Sequence, residues 1–370
     1  MKRINTALCI SVLIIMLSGC KKLHDQPSAP FSSIQQDLFS KLATSGTDTL
    51  VATTLAQAVH SRVEEYYGTG SSVDSGLGRM IDSAVLYLSS RLFMVTDAEA
   101  IVREMNALIF DKWGITFIDD RNNSDYLFPH NVLQKRQGSC VGISLLYLLV
   151  AEKNGTPLFG VLVPGHFYER FDDGKSVINI EMMRHGEDMP NRWYRQRFGI
   201  SDTTLYDMRN LKWSEAAAVL DYNIGTLFLR QKVYERAIFF LEKSIAGMPS
   251  FAEAEGNCAL ALNSAGKSRE ALVHLVALKK KYPSLPNIDG NIASLQLSCN
   301  DFQAALRTYD ALLEKDPADP DYLYGKGLAL YRLNNLDEAE HVLQAVVNTP
   351  SDSGRSEKLL QTVRALKEHR

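Results

Sequence analysis

No cysteine or histidine pair in this sequence falls at a short ligand spacing such as CxxC or HExxH, and no glycine-rich phosphate loop follows a strand-like stretch. The residue pattern therefore gives no support to a metal centre or a nucleotide cofactor. No acidic loop suited to calcium is present either. The chain also lacks any long basic run, and its formal charge is −3, which argues against nucleic acid as the main partner. Cysteine is scarce: five in 370 residues, too scattered for a disulfide framework. What is present is the composition of a folded chain, 45% hydrophobic and 22% charged, at a length that implies two or more domains.

The N-terminus reads as an export signal. Lys2 and Arg3 precede the apolar run ALCISVLIIML, which is short for a bilayer span. It ends in Leu17-Ser18-Gly19-Cys20, which resembles the bacterial lipobox. That resemblance implies a signal peptide over 1–20, cleavage before Cys20, and acylation of its sulfur, with palmitate among the expected chains. Two or more acyl chains anchor a protein firmly. An ordinary signal peptide or a membrane anchor is the alternative. Lys21 stands where an Asp would signal inner-membrane retention in enteric bacteria, so the expected place is the cell envelope, lipid-anchored, at the outer membrane. Loss of Lys2 and Arg3 leaves 38 basic against 43 acidic residues, a mature charge near −5.

The C-terminal third is periodic. Ala237, Ala271, Ala305 and Ala339 are spaced by 34, as are Gly225, Ala259, Ala293 and Gly327. Pro249, Pro283 and Pro317 keep the interval, and proline ends the second helix of each unit by removing a donor. This pattern resembles tetratricopeptide repeats, placed at 218–251, 252–285, 286–319 and 320–352, with 353–370 as a capping helix. Such arrays bind a protein partner on their concave face, where Tyr222, Thr226, Tyr324 and Tyr331 are expected. The alternative is that the repeats only buttress the rest of the chain. Cys258 and Cys299 fall within repeat helices and read as packing residues.

Between a linker at 21–30 and the repeats lies a region, 31–210, that opens with helical patterns. The last of these, TDAEAIVREMNALIFDKWG, is expected to be capped by Thr96. Residues 114–135 read as loop with short ordered pieces. Cys140 then stands at the start of an apolar helix that Asn154-Gly155 ends. Free N–H groups and the dipole at a helix start stabilise a thiolate, and the same groups can serve an oxyanion. A buried packing cysteine is the competing reading. Residues 157–171 read as one strand and 176–181 as the next, joined by a two-residue turn at Asp173-Gly174. That register pairs Asp172 with Lys175 and sets His166 directly opposite Glu181, where a carboxylate fixes an imidazole tautomer and stabilises its cation.

The stretch RQGSCVGISLLYLLVAEKNGTPLFGVLVPGHFYERF, followed by NIE, is similar to a bacterial branch of the transglutaminase-like superfamily that is joined to tetratricopeptide repeats. The resemblance covers about 100–205 and then the repeats. It implies an α+β papain-like core, with a helical N-terminal part, ahead of an all-α solenoid. It also implies Cys140 as nucleophile, His166 as base and Glu181 as orienting acid, hydrolysing or crosslinking a peptide or protein amide without a cofactor. Glu181 is followed by Met182-Met183 where the family commonly has Asp followed by Pro-Thr. Asn179 is the reserve orienter, and His185 and His130 are reserve bases. Asn131, Gln134 and Gln137 are the candidate second oxyanion donors, beside the backbone N–H of Cys140. Arg184, His185, Trp193, Tyr194 and Tyr206 form either a wall of the substrate cleft or packing. The rival reading is a non-enzymatic interaction lipoprotein in which the repeats do the work.

Overall fold

The computed structural model describes residues 54–68, 76–200, 206–347 and 354–369. The segment expected to be a signal peptide, Cys20 and the first of the helical patterns lie outside them. No described helix is long and apolar enough to cross a membrane. The chain forms two compact units, one running to Ala254 and one from Glu255.

The first unit is built around one helix. α1 (Leu55–Tyr67), α2 (Leu77–Arg91) and α3 (Ala98–Asn106) lead into it, and α3 widens into a π-helical stretch, Ala107–Lys112. The cap of α3 is Asp97, whose carboxylate accepts from Ala100 N–H at 2.8 Å; the Thr96 expectation is off by one residue. β1 (Thr116–Phe117) pairs in parallel with β2 (Gln137–Gly138), and α4 (Pro129–Lys135) lies between them. α5 (Cys140–Asn154) follows immediately. Ser139 caps it by accepting from Gly142 N–H, and Gly155 ends it in the left-handed conformation. Every residue from Val141 to Ala151 is buried, which is why this helix is apolar on all sides rather than along one stripe. Its start is wedged against the preceding loop. A Cβ at Gly142 would sit 2.2 Å from the Tyr126 carbonyl oxygen, so only glycine fits there.

α5 packs on an antiparallel meander, β3 (Leu158–Val163), β4 (His166–Asp172), β5 (Val177–Glu181) and β6 (Glu187–Asp188). The single strand expected over 157–171 is two. Pro164-Gly165 turns the chain back, with Val163 paired to His166 and Gly165 at φ 65°. Proline presets one turn residue and glycine takes the positive φ of the next. The β4–β5 register also differs from expectation. Asp172 pairs with Val177, so the turn holds four residues, 173–176. The Asp173 carboxylate accepts from both Lys175 and Ser176 N–H, which builds this longer turn. Tyr168, not His166, therefore opposes Glu181. The slip is even, so both side chains keep the same face, and Glu181 reaches His166 on the diagonal.

α6 (Asn191–Phe198) closes this sheet face with Tyr194, buried among Val161, Val163 and Tyr168. α7 (Trp213–Arg230) and α8 (Tyr234–Gly247) form the first helix pair of the C-terminal region and belong to the same unit. α1 holds them. Arg62 donates to Asp221 of α7 at 2.7–3.2 Å through two nitrogens, and Asp221 is fully buried. Arg236 of α8 donates to the Glu65 and Tyr66 carbonyls at the end of α1.

α9 (Ala252–Ser264) starts in the first unit and continues into the second. The second unit goes on with α10 (Ser268–Lys281), α11 (Ile288–Ser298), α12 (Phe302–Leu313), α13 (Pro320–Arg332), α14 (Leu336–Gln344) and α15 (Arg355–Glu368). From α10 onward each helix packs on the next. The small residues at the 34-residue period are where helices touch. A Cβ at Gly225 would meet Leu241 at 2.7 Å, and one at Gly327 would meet Leu343 at the same distance. Cys258 is buried and Cys299 partly so, with burial pushing the Cys299 thiol up to about 11.

Candidate active site

Three elements converge on the start of α5. Cys140 is its first residue and remains partly exposed. His166 opens β4 directly after the Pro164-Gly165 turn and is 4% exposed. Glu181 ends β5 and is fully buried. His166 Nε2 lies 2.9 Å from one Glu181 oxygen, while the other accepts from Met183 N–H at 2.9 Å. Both carboxylate oxygens are thus engaged, which fixes the imidazole ring and leaves Nδ1 for the thiol. Aromatic rings hold the ring plane from behind. Phe198 stacks on His166 at 4.7 Å, and Tyr194 stacks on Tyr168 at 3.8 Å.

The electrostatics of the pair are opposed in sign. Burial alone pushes the Cys140 thiol up, but the hydrogen bond and charge of His166, then Arg121 and the Phe167 backbone N–H, bring it below its ordinary value. Burial likewise pushes His166 down, and the thiol and the Glu181 carboxylate outweigh it, raising the imidazole to about 9. A lowered thiol beside a raised imidazole favours the thiolate–imidazolium form of the pair over the neutral one.

A cavity of about 100 Å³ opens on this pair. Ser139, Cys140, Val141, Leu162 and Gly165–Phe167 line one side. Asp120, Arg121 and Asn123 line another; this loop precedes the 3₁₀ turn at Ser124–Tyr126 and is tied to α7 through Arg230, which donates to the Arg121 carbonyl and to Asn122. α7 supplies Val219, Tyr222, Asn223, Thr226, Leu227 and Arg230, with Phe251 and Glu253 beyond it. Two positions expected on the concave face of the first repeat, Tyr222 and Thr226, thus face the same space as the thiol.

The other candidates are placed elsewhere. Gln134 and Gln137 are exposed, Asn131 donates to Tyr67 Oη at 3.0 Å, and none of the three lines the cavity. Asn179 sits opposite Arg170 and is held by it, accepting from Nε at 2.8 Å, so it does not orient His166. His130 stacks on Phe128, and His185 packs edge-on against Phe110. Trp193 and Tyr194 pack behind His166 rather than lining the cavity, and Arg184, His185 and Tyr206 do not line it either. The sequence reading passed over Arg121, Asn123 and Glu253. The loop pattern at 119–123 carried no catalytic signature, and Glu253 is 113 residues beyond Cys140.

Glu169 was also passed over. It is fully buried on β4, beside Ser144 and Tyr147 of α5, and neither its oxygens nor Ser144 Oγ makes a well-formed hydrogen bond. Burial pushes its carboxyl well above the usual range. An acid whose folded pKa is raised costs stability as pH rises above its unfolded value of about 4.3. Glu169→Gln removes that cost. Thermal unfolding is expected to show the variant more stable than wild type at pH 8 and the two similar near pH 4.

With the geometry in hand, known proteins supply the class. Residues 74–201 match the transglutaminase-like superfamily and residues 291–353 the tetratricopeptide repeat. The chain carries a transglutaminase-like domain followed by tetratricopeptide repeats, an α+β core ahead of a helical C-terminal region. Among individual proteins, it is 24% identical over 223 residues to a UPF0162 protein of Xylella fastidiosa strain Temecula1, spanning 57% of this chain and 78% of that one. The counterpart from strain 9a5c is 23% identical over the same length. Among solved structures, MamA of Desulfovibrio magneticus is 21% identical, with 41% of this chain and 85% of that one covered, at a TM-score of 0.38. Yeast Tom70 is 14% identical, with 93% and 68% covered, at a TM-score of 0.33.

Proposed function

We propose that this protein is a cysteine amide hydrolase of the transglutaminase-like class, anchored to the bacterial envelope through Cys20, with its repeats engaging a protein partner. The observation that carries the chemistry is the Glu181-held His166 beside a thiol of lowered pKa, both on one cavity. The Cys140 thiolate attacks an amide carbonyl and forms a C–S bond. The N–H groups of Cys140 and Val141, which have no acceptor within the helix, face the developing oxyanion. Asn123, whose Oδ1 already accepts from Asp125 N–H, has its NH₂ to donate as a side-chain donor beside these two. The His166 imidazolium gives its proton to the leaving nitrogen as the C–N bond breaks. Water then attacks the thioester, His166 takes its proton, and the C–S bond breaks to release the acid. Hydrolysis is favoured over crosslinking because Cys140 is itself partly exposed, so water reaches the thioester.

The test is a proteome-derived peptide pool incubated with a soluble form beginning after Cys20. Mass spectrometry is expected to find peptides cleaved or deamidated by wild type and untouched by Cys140→Ala. The same products from Cys140→Ala, or none from either protein, would favour the scaffold reading.

A further inference from the structure

Glu253 is the second residue of α9 and lines the Cys140 cavity. A glutamate in a first helical turn is ordinarily a solvated group favoured by the helix dipole. This one is set apart by where it lies. It faces the cavity that holds the thiol, and among the described residues its carboxylate has no ion pair and no hydrogen bond other than to its own backbone N–H. The other charged groups on the cavity have hydrogen-bond or ion-pair partners of their own, those of Arg230 being neutral acceptors. Arg230 donates to the Arg121 carbonyl and to Asn122, Arg121 lies 3.4 Å from Asp119, and His166 is held by Glu181. Asp120 is the remaining acid there.

We propose that Glu253 is the charge-selecting residue of this cavity, and that the substrate carries an ammonium group, a lysine side chain or a free α-amine, which this carboxylate receives while Cys140 attacks. The inference rests on Cys140 being the nucleophile. An uncompensated carboxylate lining a small cavity is costly until a cation is supplied, and an arriving substrate supplies it. Burial raises Glu253 to about 7, so it is partly ionised at neutral pH. A bound cation favours the ionised form and lowers that value again. Preference for a cation therefore strengthens from pH 6 to pH 8, as more of Glu253 ionises.

The test uses methanethiosulfonates of the same size class. These are a neutral ethyl reagent, a trimethylammonium-ethyl reagent and a sulfonatoethyl reagent. In each case the thiolate displaces sulfinate and leaves a mixed disulfide on Cys140, read by mass spectrometry of the Cys140 peptide. In wild type at pH 8 the cationic reagent is expected to outpace the anionic one, after correction for their rates with free cysteine. Glu253→Gln is expected to shrink that ratio by roughly tenfold, the size of effect one unit charge exerts across a partly buried space. Glu253→Ala, with folding checked by circular dichroism, is expected to do the same. A ratio unchanged in both variants overturns the proposal, as does a ratio that falls only in Asp120→Asn. The two readings fail separately. The neutral reagent's rate at pH 6 reports whether Cys140 is a thiolate, and the charge ratio reports Glu253.

Discussion

His166→Ala is expected to slow alkylation of Cys140 by iodoacetamide at least tenfold at pH 7, with the gap closing as pH passes 9. A free thiol of pKa about 8.5 is only ~3% thiolate at pH 7, so a thiol ionised by its partner has roughly thirtyfold more nucleophile. Part of that gain is offset because a thiolate of lower pKa is intrinsically less reactive, with a Brønsted coefficient of about 0.4–0.5. Removing the imidazole does more than restore the free value. Burial is the largest influence on Cys140, and without His166 it acts against only Arg121 and the Phe167 N–H. The variant thiol should therefore titrate at or above the ordinary range. Turnover should follow a bell. It rises as Cys140 ionises and falls as pH passes about 9, where His166 loses the proton that the leaving amine needs.

The second large effect is on the fold. Arg62→Ala is expected to destabilise the first unit by about 3–5 kcal/mol, since it leaves a fully buried Asp221 without its counter-charge. At roughly 2–4 °C per kcal/mol for a unit of this size, thermal unfolding should move down by on the order of 10 °C. The sign of the pH dependence is a further check. Burial already holds the Asp221 carboxyl above its usual range even with Arg62 in place. Its ionised form is what the missing guanidinium leaves stranded, so the deficit shrinks as pH falls and Asp221 is protonated in both proteins. Asp221→Asn on the Arg62→Ala background should recover much of the loss. The consequence reaches the site, because Asp221 lies on α7, one residue from Tyr222 of the cavity wall.

The parts of this site that the sequence disclosed are those set by local chemistry. Ser139 as a cap, Gly155 as a stop and an apolar run between them define α5 and put Cys140 at its start. The repeat period is visible because each unit needs small residues where its helices touch. The His166–Glu181 contact was anticipated from a register that is wrong by two residues. It stands because an even slip keeps both side chains on one face and a glutamate is long enough for the diagonal. Pro164-Gly165 is a dipeptide that punctuates strands, but the apolar run around it hid the break, and one strand was expected where there are two. What no local pattern discloses is the cavity. Arg121 and Asn123 come from a loop brought in by β1–β2 pairing and by Arg230 more than 100 residues away, and Tyr222, Thr226 and Glu253 come from helices whose periodicity describes only their own packing.

The central claim is that Cys140 and His166 form an ion pair at neutral pH. Its most direct measurement is the ultraviolet thiolate absorbance of the soluble chain against pH, with Cys140→Ala subtracted. The account predicts a Cys140 thiolate already present at pH 7, with its midpoint below the ordinary thiol range, and loss of that signal at pH 7 in His166→Ala. A Cys140 that ionises only at about 8.5 or above in the wild-type chain would contradict it, and would make this cysteine a packing residue of α5.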